Sequence, residues 1–283
     1  MAWLVETERA DTAYLESGAP CRLNFTILCF PKTKPAPKHS PPAMPAEALE
    51  LLVVLPVFNE QASVRKVVME WFQEILNWTE GFVFVAIDDG STDETPRVLA
   101  RLREQLGLRF EIIQQANRGH GQTCLRGYRL AAERGIPSVF QIDSDGQCDP
   151  QYFFRFWRLR KEVDVIYGRR WRRDDGWRRS FASYVLKIVL LCTTGAWCED
   201  ANVPYRLMRT DAISAALAII PADFYLANVA LAVILKKKTG ARHATIPIRF
   251  RERYGGEPCV VLAQFGNKAW ELVRQLRSLP PIT

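Results

Sequence analysis

With 283 residues, 48% hydrophobic and 24% charged, the chain can bury a full core as one large domain or two small ones, so a globular enzyme is allowed. Seven cysteines, at positions 21, 29, 124, 148, 192, 198 and 259, have neither C-x-x-C spacing nor a histidine pairing, which argues against a disulfide framework or a zinc site and fits a reducing compartment. The net charge of +7 points to an acidic partner: phosphates, nucleic acid or an anionic membrane surface.

The first 48 residues do not read as part of the fold. Glu6, Glu8, Asp11 and Glu16 occupy the place of a basic leader segment, and Leu23 to Phe30 is short and interrupted by polar residues, so a secretory signal is not expected. Six prolines fall between Pro31 and Pro45 among lysines and small residues, a composition that cannot bury a core; residues 1–48 are therefore expected to form a disordered tail. One domain is expected over residues 49–279, with a first half to residue 150 and a second from 151.

From Leu51, strand and helix signals alternate. Leu51 to Leu55 reads as a strand, and Pro56-Val57-Phe58-Asn59-Glu60 turns the chain into a helix with an apolar face of Val64, Val67, Val68, Trp71, Phe72 and Ile75. Phe82 to Ile87 is a second strand, followed by Asp88-Asp89-Gly90-Ser91-Thr92-Asp93-Glu94, in which Ser91 and Glu94 fit a capping box for a helix ending near Gly107. Phe110 to Gln114 is a third strand, which leads through Asn117-Arg118-Gly119-His120-Gly121 into a helix to about Glu133. The apolar run Pro137 to Phe140 is a fourth, ending in Gln141-Ile142-Asp143-Ser144-Asp145-Gly146-Gln147. Such alternation implies an α/β fold with a mostly parallel sheet between helices.

Polar residues recur just after each of the four strands, and a parallel sheet brings such positions to one edge, where ligands of open α/β sheets bind. Taken singly, each has a plainer reading: Asn59 as a helix cap, Asp89-Gly90 as a turn, Gly119 and Gly121 as loop glycines, and Asp149-Pro150 as the start of the next helix. Asp143 and Asp145, two carboxylates spaced i, i+2 at a strand end, suit a hard oxygen-ligated cation such as Mg²⁺ or Mn²⁺, with Gln147 as a further neutral oxygen. No Ser-His-Asp or Cys-His order supports covalent nucleophilic catalysis.

Pro56-Val57-Phe58-Asn59-Glu60, Asp88-Asp89-Gly90-Ser91-Thr92-Asp93, Asn117-Arg118-Gly119-His120-Gly121 and Asp143-Ser144-Asp145-Gly146-Gln147 together resemble the ordered motifs of glycosyltransferase family 2. Within that family the chain is most similar to dolichol-phosphate mannosyltransferases and related bacterial polyprenyl-phosphate enzymes, over about Leu51 to Gly256. The resemblance implies a GT-A fold and inverting transfer from a nucleotide-diphosphate sugar. By it, Pro56, Asn59, Glu60, Asp88 and Asp89 would hold the base and ribose, Asn117, Gly119, His120 and Gly121 would complete the donor site, and Asp143, Asp145 and Gln147 would hold Mg²⁺ or Mn²⁺. His120 stands where many members carry lysine.

The second half supplies the acceptor side in this reading. Asp164 to Gly168 reads as a strand that leads into Arg169-Arg170-Trp171-Arg172-Arg173-Asp174-Asp175-Gly176-Trp177-Arg178-Arg179, six arginines with two tryptophans; an anionic surface is the expected partner, nucleic acid is not, and a solvated loop is the plainer alternative. Phe181 to Trp197 is too short to span a bilayer and reads either as a helix lying on one or as a core helix. Ala212 to Leu235 reads as two helices joined at Pro221-Ala222-Asp223, so no membrane span is expected. Ile246 to Phe250 reads as a last strand, and Val260 to Leu276 as a closing amphipathic helix.

Asp200, with Glu199 as alternate, resembles the acceptor-facing carboxylate of hydroxyl-directed family members. Arg249, Arg251 and Arg253 resemble the Arg-rich turn of the polyprenyl-phosphate enzymes, and with Arg169 they are the expected acceptor-phosphate contacts. The expectation is therefore a metal-dependent inverting glycosyltransferase with a polyprenyl phosphate acceptor, cytoplasmic and peripheral to the inner membrane face. A family member acting on a hydroxyl, and a silent nucleotide-binding protein, are the alternatives.

Overall fold

Strand β2 (Leu51–Val57) is seven residues of almost unbroken apolar sequence, buried at every position, as a strand covered on both faces has to be. It lies inside a sheet of order β1-β8-β6-β7-β5-β2-β3-β4, made of β1 (Tyr14–Leu15), β2, β3 (Phe82–Asp88), β4 (Phe110–Gln114), β5 (Ser138–Gln141), β6 (Val165–Arg172), β7 (Arg206–Arg209) and β8 (His243–Arg249). The computed structural model describes residues 14–15, 49–172, 201–221, 226–237 and 241–255, together with 191, 193, 195, 224, 273–275, 277 and 278.

Strands β2 to β5 are mutually parallel, β7 runs antiparallel to both β5 and β6, and β8 is parallel to β6. Six strands therefore deliver their C-terminal ends to a single edge. The order reverses between β2 and β5, the place where open sheets leave a crevice for ligand.

Helices α1 (Val64–Leu76), α2 (Thr95–Leu106) and α4 (Phe153–Leu159) cover one face; α3 (His120–Glu133), α5 (Thr210–Ile219) and α6 (Ala227–Lys237) cover the other. The buried face of α1 is Val64, Val67, Val68, Trp71, Phe72 and Ile75, the six residues picked out by their spacing. Trp71 packs against Phe140, Phe153 and Tyr205 at ring-centroid distances of 5.3, 6.2 and 5.4 Å, tying α1 to β5, α4 and the segment before β7. Each fully buried side chain of this size contributes about 1.5–3 kcal/mol. Among the described residues no helix is long and apolar enough to cross a membrane.

Three local expectations change. The capping box does not form: Glu94 is the N-cap of α2 without a side-chain bond, and Ser91 Oγ instead accepts from Asn59 N across 32 residues. Asp93 takes the capping bond, its Oδ1 accepting from Thr95 N, because the loop after β3 is drawn toward the loop after β2. Strand β7 was not expected, since four residues bounded by two arginines give no apolar run. Two residues of the segment set aside, Tyr14–Leu15, pair antiparallel with Thr245 and Ala244 of β8.

Candidate active site at the strand ends

The loops after β2 and β3 are laced together by short polar side chains. Asn59, the one non-glycine residue among those described with positive φ (52°), receives Ser91 Oγ on its N–H and offers its Oδ1 to Thr92 N at 2.8 Å. Asparagine tolerates this backbone region because its short amide bonds locally. Glu60 N donates to Thr95 Oγ1 at 2.9 Å, and Asp88 Oδ1 accepts from Ser91 N at 3.0 Å.

Asp89 links the next loop: its Oδ1 accepts from Gln115 Nε2 and Arg118 N, and its Oδ2 from Gly119 N, at 2.7, 2.9 and 2.8 Å. These bonds set Asn117, Gly119 and Gly121 around the start of α3. Pro56 enters through its carbonyl, which accepts Ser144 Oγ at 2.9 Å and so fastens the Asp143–Asp145 loop to β2. Donor-side residues predicted separately thus form one cross-bonded rim.

Asp143 and Asp145 follow β5 at the point of strand reversal. His120 Nε2 lies 2.9 Å from Asp143 Oδ1. Gln147 lends its backbone N–H, not its side chain, to Asp145 Oδ1 at 3.0 Å. Burial, then the charge of Asp143, push the Asp145 carboxyl up to about 6 against the opposing pull of Gln147 N–H and Arg253. A carboxylate whose charge is opposed by burial and by a neighbouring carboxylate fits a divalent cation, which relieves that repulsion. Among the described residues no three acidic, histidine or cysteine side chains converge to hold a metal by themselves, so an ion here has to take further oxygens from bound phosphate or water.

The far wall of the site comes from residues 250–255, which follow β8. Cys148 and Phe250 form an antiparallel bridge, Arg251 N donates to Gln147 O and Tyr254 N to Asp145 O, so this strap lies alongside the loop of the two aspartates. Gly146, between Asp145 and Gln147, is at φ 85°, and a Cβ there would stand 2.4 Å from the Tyr254 ring. Glycine is required on both counts.

The arginines divide in a way the sequence did not indicate. Arg251 Nη2 donates to Glu70 Oε2 at 2.8 Å, and Tyr254 Oη reaches both Glu70 oxygens at 2.9 and 3.0 Å, so Arg251 ties the strap to α1. Arg253 instead turns inward, paired with Glu60 and 4.0 Å from Asp145 Oδ2. Arg249 is the last residue of β8, and Arg169 lies in the C-terminal half of β6, three residues before its end and paired with Pro247. Gly168 before Arg169 is a packing glycine, since a Cβ would stand 2.3 Å from Ile248 Cδ1. Asp200 and Glu199 lie outside the described residues, as do most of the Arg-Trp run and of the segments Phe181 to Trp197 and Val260 to Leu276.

Sequence reading missed Glu70 and Tyr254 as parts of the site, because nothing local marks a glutamate on the outer face of α1 as the partner of residues some 180 positions on. It also missed Gln141, whose Nε2 donates to Asp143 Oδ1 at 3.3 Å.

Comparison with known proteins adds the family. Residues 52–213, more than half of the chain, match the profile of Glycosyl transferase family 2. The undecaprenyl-phosphate 4-deoxy-4-formamido-L-arabinose transferase of Edwardsiella ictaluri is 27% identical over 231 residues, which cover 81% of this chain and 68% of that protein. The dodecaprenyl-phosphate galacturonate synthase of Rhizobium johnstonii is 31% identical over 175 residues, 60% of this chain and 50% of that one. Among solved structures, the glucosyl-3-phosphoglycerate synthase of Mycobacterium tuberculosis in complex with Mn²⁺, UDP and phosphoglyceric acid superimposes with a TM-score of 0.61 at 15% identity, over 85% of each chain. The fold is accordingly GT-A, and the chain belongs to glycosyltransferase family 2.

Proposed function

We propose that this protein transfers a sugar, with inversion, from a nucleotide-diphosphate sugar to a polyprenyl phosphate at the cytoplasmic face of a membrane, with Mg²⁺ or Mn²⁺ bound at Asp143 and Asp145. The observation that carries the reading is the convergence of Asp143, Asp145 and the inward-turned Arg253 at one strand edge, in a chain whose relatives are named for undecaprenyl and dodecaprenyl phosphate.

The chemistry suits these groups. A nucleoside diphosphate departs only when its developing negative charge is neutralised, and a bound divalent ion supplies several kcal/mol of that stabilisation. Asp143 and Asp145 hold the charge balance at that point, while Arg253, between Glu60 and Asp145, presents a guanidinium suited to phosphate oxygens. The rim of Asn59, Glu60, Asp88 and Asp89 encloses the nucleoside, with Asn117, Gly119, His120 and Gly121 beside the diphosphate.

The acceptor needs no general base. A phosphate monoester, with a second pKa of about 6, is largely dianionic at neutral pH and attacks the anomeric carbon directly. Arg169 and Arg249 stand on the edge that such an acceptor approaches, while Arg251 holds the strap in place. Asp200 serves to position rather than to take a proton. The basic net charge supports reversible docking on an anionic membrane surface.

The test is a transfer assay with a panel of nucleotide sugars, undecaprenyl phosphate and a soluble alcohol, with Mn²⁺ or Mg²⁺ and with chelator. A metal-dependent glycosyl phospholipid whose anomeric configuration is opposite to the donor's is the expected product. Asp200→Asn should cost less than the ~10²- to 10⁴-fold typical of losing a general base. Transfer to the alcohol alone, abolished by Asp200→Asn, would move the reading to the hydroxyl-directed branch.

A further inference from the structure

A chain of buried polar side chains runs from the aspartate loop to the opposite side of the sheet. Gln141, the last residue of β5, is fully buried; its Nε2 donates to Asp143 Oδ1 at 3.3 Å, and its Oε1 accepts from Tyr128 Oη at 2.5 Å and from Asn228 Nδ2 at 3.1 Å. The Tyr128 hydroxyl also lies 2.9 Å from Asn228 Oδ1. Asn228 O accepts from Arg206 Nη1 at 3.3 Å, and the rest of that fully buried guanidinium binds the carbonyls of Ala201 and Val203, just after Asp200.

The orientation of the Gln141 amide follows from the chemistry of its neighbours. A carboxylate only accepts, so the amide nitrogen has to face Asp143, and the amide oxygen has to face the two donors from α3 and α6. Buried polar groups on this scale are tolerated only when satisfied, and satisfied networks are rigid.

We propose that Gln141 is a positioning residue that fixes Asp143 for the divalent cation, and that Tyr128 and Asn228 hold its amide in the working orientation. This rests on the metal reading proposed above. Residues that orient a metal ligand from behind typically contribute 10- to 100-fold in metal affinity.

The experiment is Mn²⁺ titration of the full chain followed by the loss of free-ion electron paramagnetic resonance signal, with UDP present in one arm and GDP in another. Gln141→Met keeps the length of the side chain and removes the amide; Tyr128→Phe removes only a hydroxyl and serves as the milder variant should the first fail to fold. Mn²⁺ affinity weakened about tenfold or more by Gln141→Met, and by a smaller factor in the same direction by Tyr128→Phe, is expected. Thermal melting is followed in parallel, since a purely structural role would lower the melting temperature with Mn²⁺ affinity unchanged in the folded variant, and that outcome overturns the proposal. If the unaltered protein takes up no Mn²⁺ in either arm, the metal reading itself falls.

Discussion

The two walls of the site are built from different interactions. On one side, the loops after β2, β3, β4 and β5 are joined by neutral or backbone-directed bonds: Asn59 with Ser91 and Thr92, Asp89 with Gly119, Ser144 with Pro56. On the other side, the strap of residues 250–255 adds to its backbone bonds with Asp145 and Gln147 two ion pairs, Arg251 with Glu70 and Arg253 with Glu60, with Tyr254 bonded to Glu70 as well. Backbone-directed bonds in a partly buried rim hardly respond to salt, whereas partly exposed ion pairs are weak in water and screened by it. The first wall is thus preorganised, whereas the side chains of the strap sit in ion pairs that an incoming anion can exchange.

Substitutions that break one wall and spare the other sharpen this contrast. The largest effect is expected for Asp145→Ala: loss of several kcal/mol of charge stabilisation corresponds to a fall in turnover on the order of 10²- to 10³-fold, even in excess Mn²⁺, with little change in melting temperature. Arg253→Ala removes the guanidinium beside Asp145 and Glu60. A charge-assisted contact of this kind is worth about 1.5–3 kcal/mol, so turnover should drop by roughly tenfold or more, and steady-state kinetics against donor concentration will show it.

Gly146→Ala should destabilise the fold by about 2 kcal/mol, from the left-handed backbone and the clash with Tyr254. Denaturant melts measure that cost, and Gly146→Ala combined with Tyr254→Ala should recover part of it. The smallest effects discriminate the walls most cleanly. Ser91→Ala should cost about 1 kcal/mol at any salt concentration, whereas the cost of Arg251→Ala, about 0–1 kcal/mol, should vanish at high salt. Equal salt responses would remove the distinction.

Much of the first wall could be read from the sequence because its information is local. The apolar spacing of α1 predicted its six buried residues, and β4 has the predicted bounds, since periodicity is set by neighbours in the chain. The motifs after each strand were legible for the same reason, and the parallel topology did the rest. What stayed hidden depends on distant partners. Ser91 and Glu94 have the residue types of a capping box, but tertiary contact with Asn59 outbids the local bond. Strand β7 gains its burial from β5 and β6 and not from its own composition, with Arg206 wholly buried against backbone carbonyls. Likewise, three arginines at alternating positions look equivalent in sequence, yet the strap turns Arg253 inward and Arg251 toward Glu70.

The central claim, sugar transfer to a lipid phosphate through a cation held by Asp143 and Asp145, is tested most directly by one comparison. The unaltered protein and Asp145→Asn are incubated with undecaprenyl phosphate and a panel of nucleotide sugars in Mn²⁺, and the lipid product is followed by mass spectrometry. The account predicts a glycosyl undecaprenyl phosphate from at least one donor, abolished by chelator and by Asp145→Asn. The same product formed at full rate in chelator, or by Asp145→Asn, would contradict it.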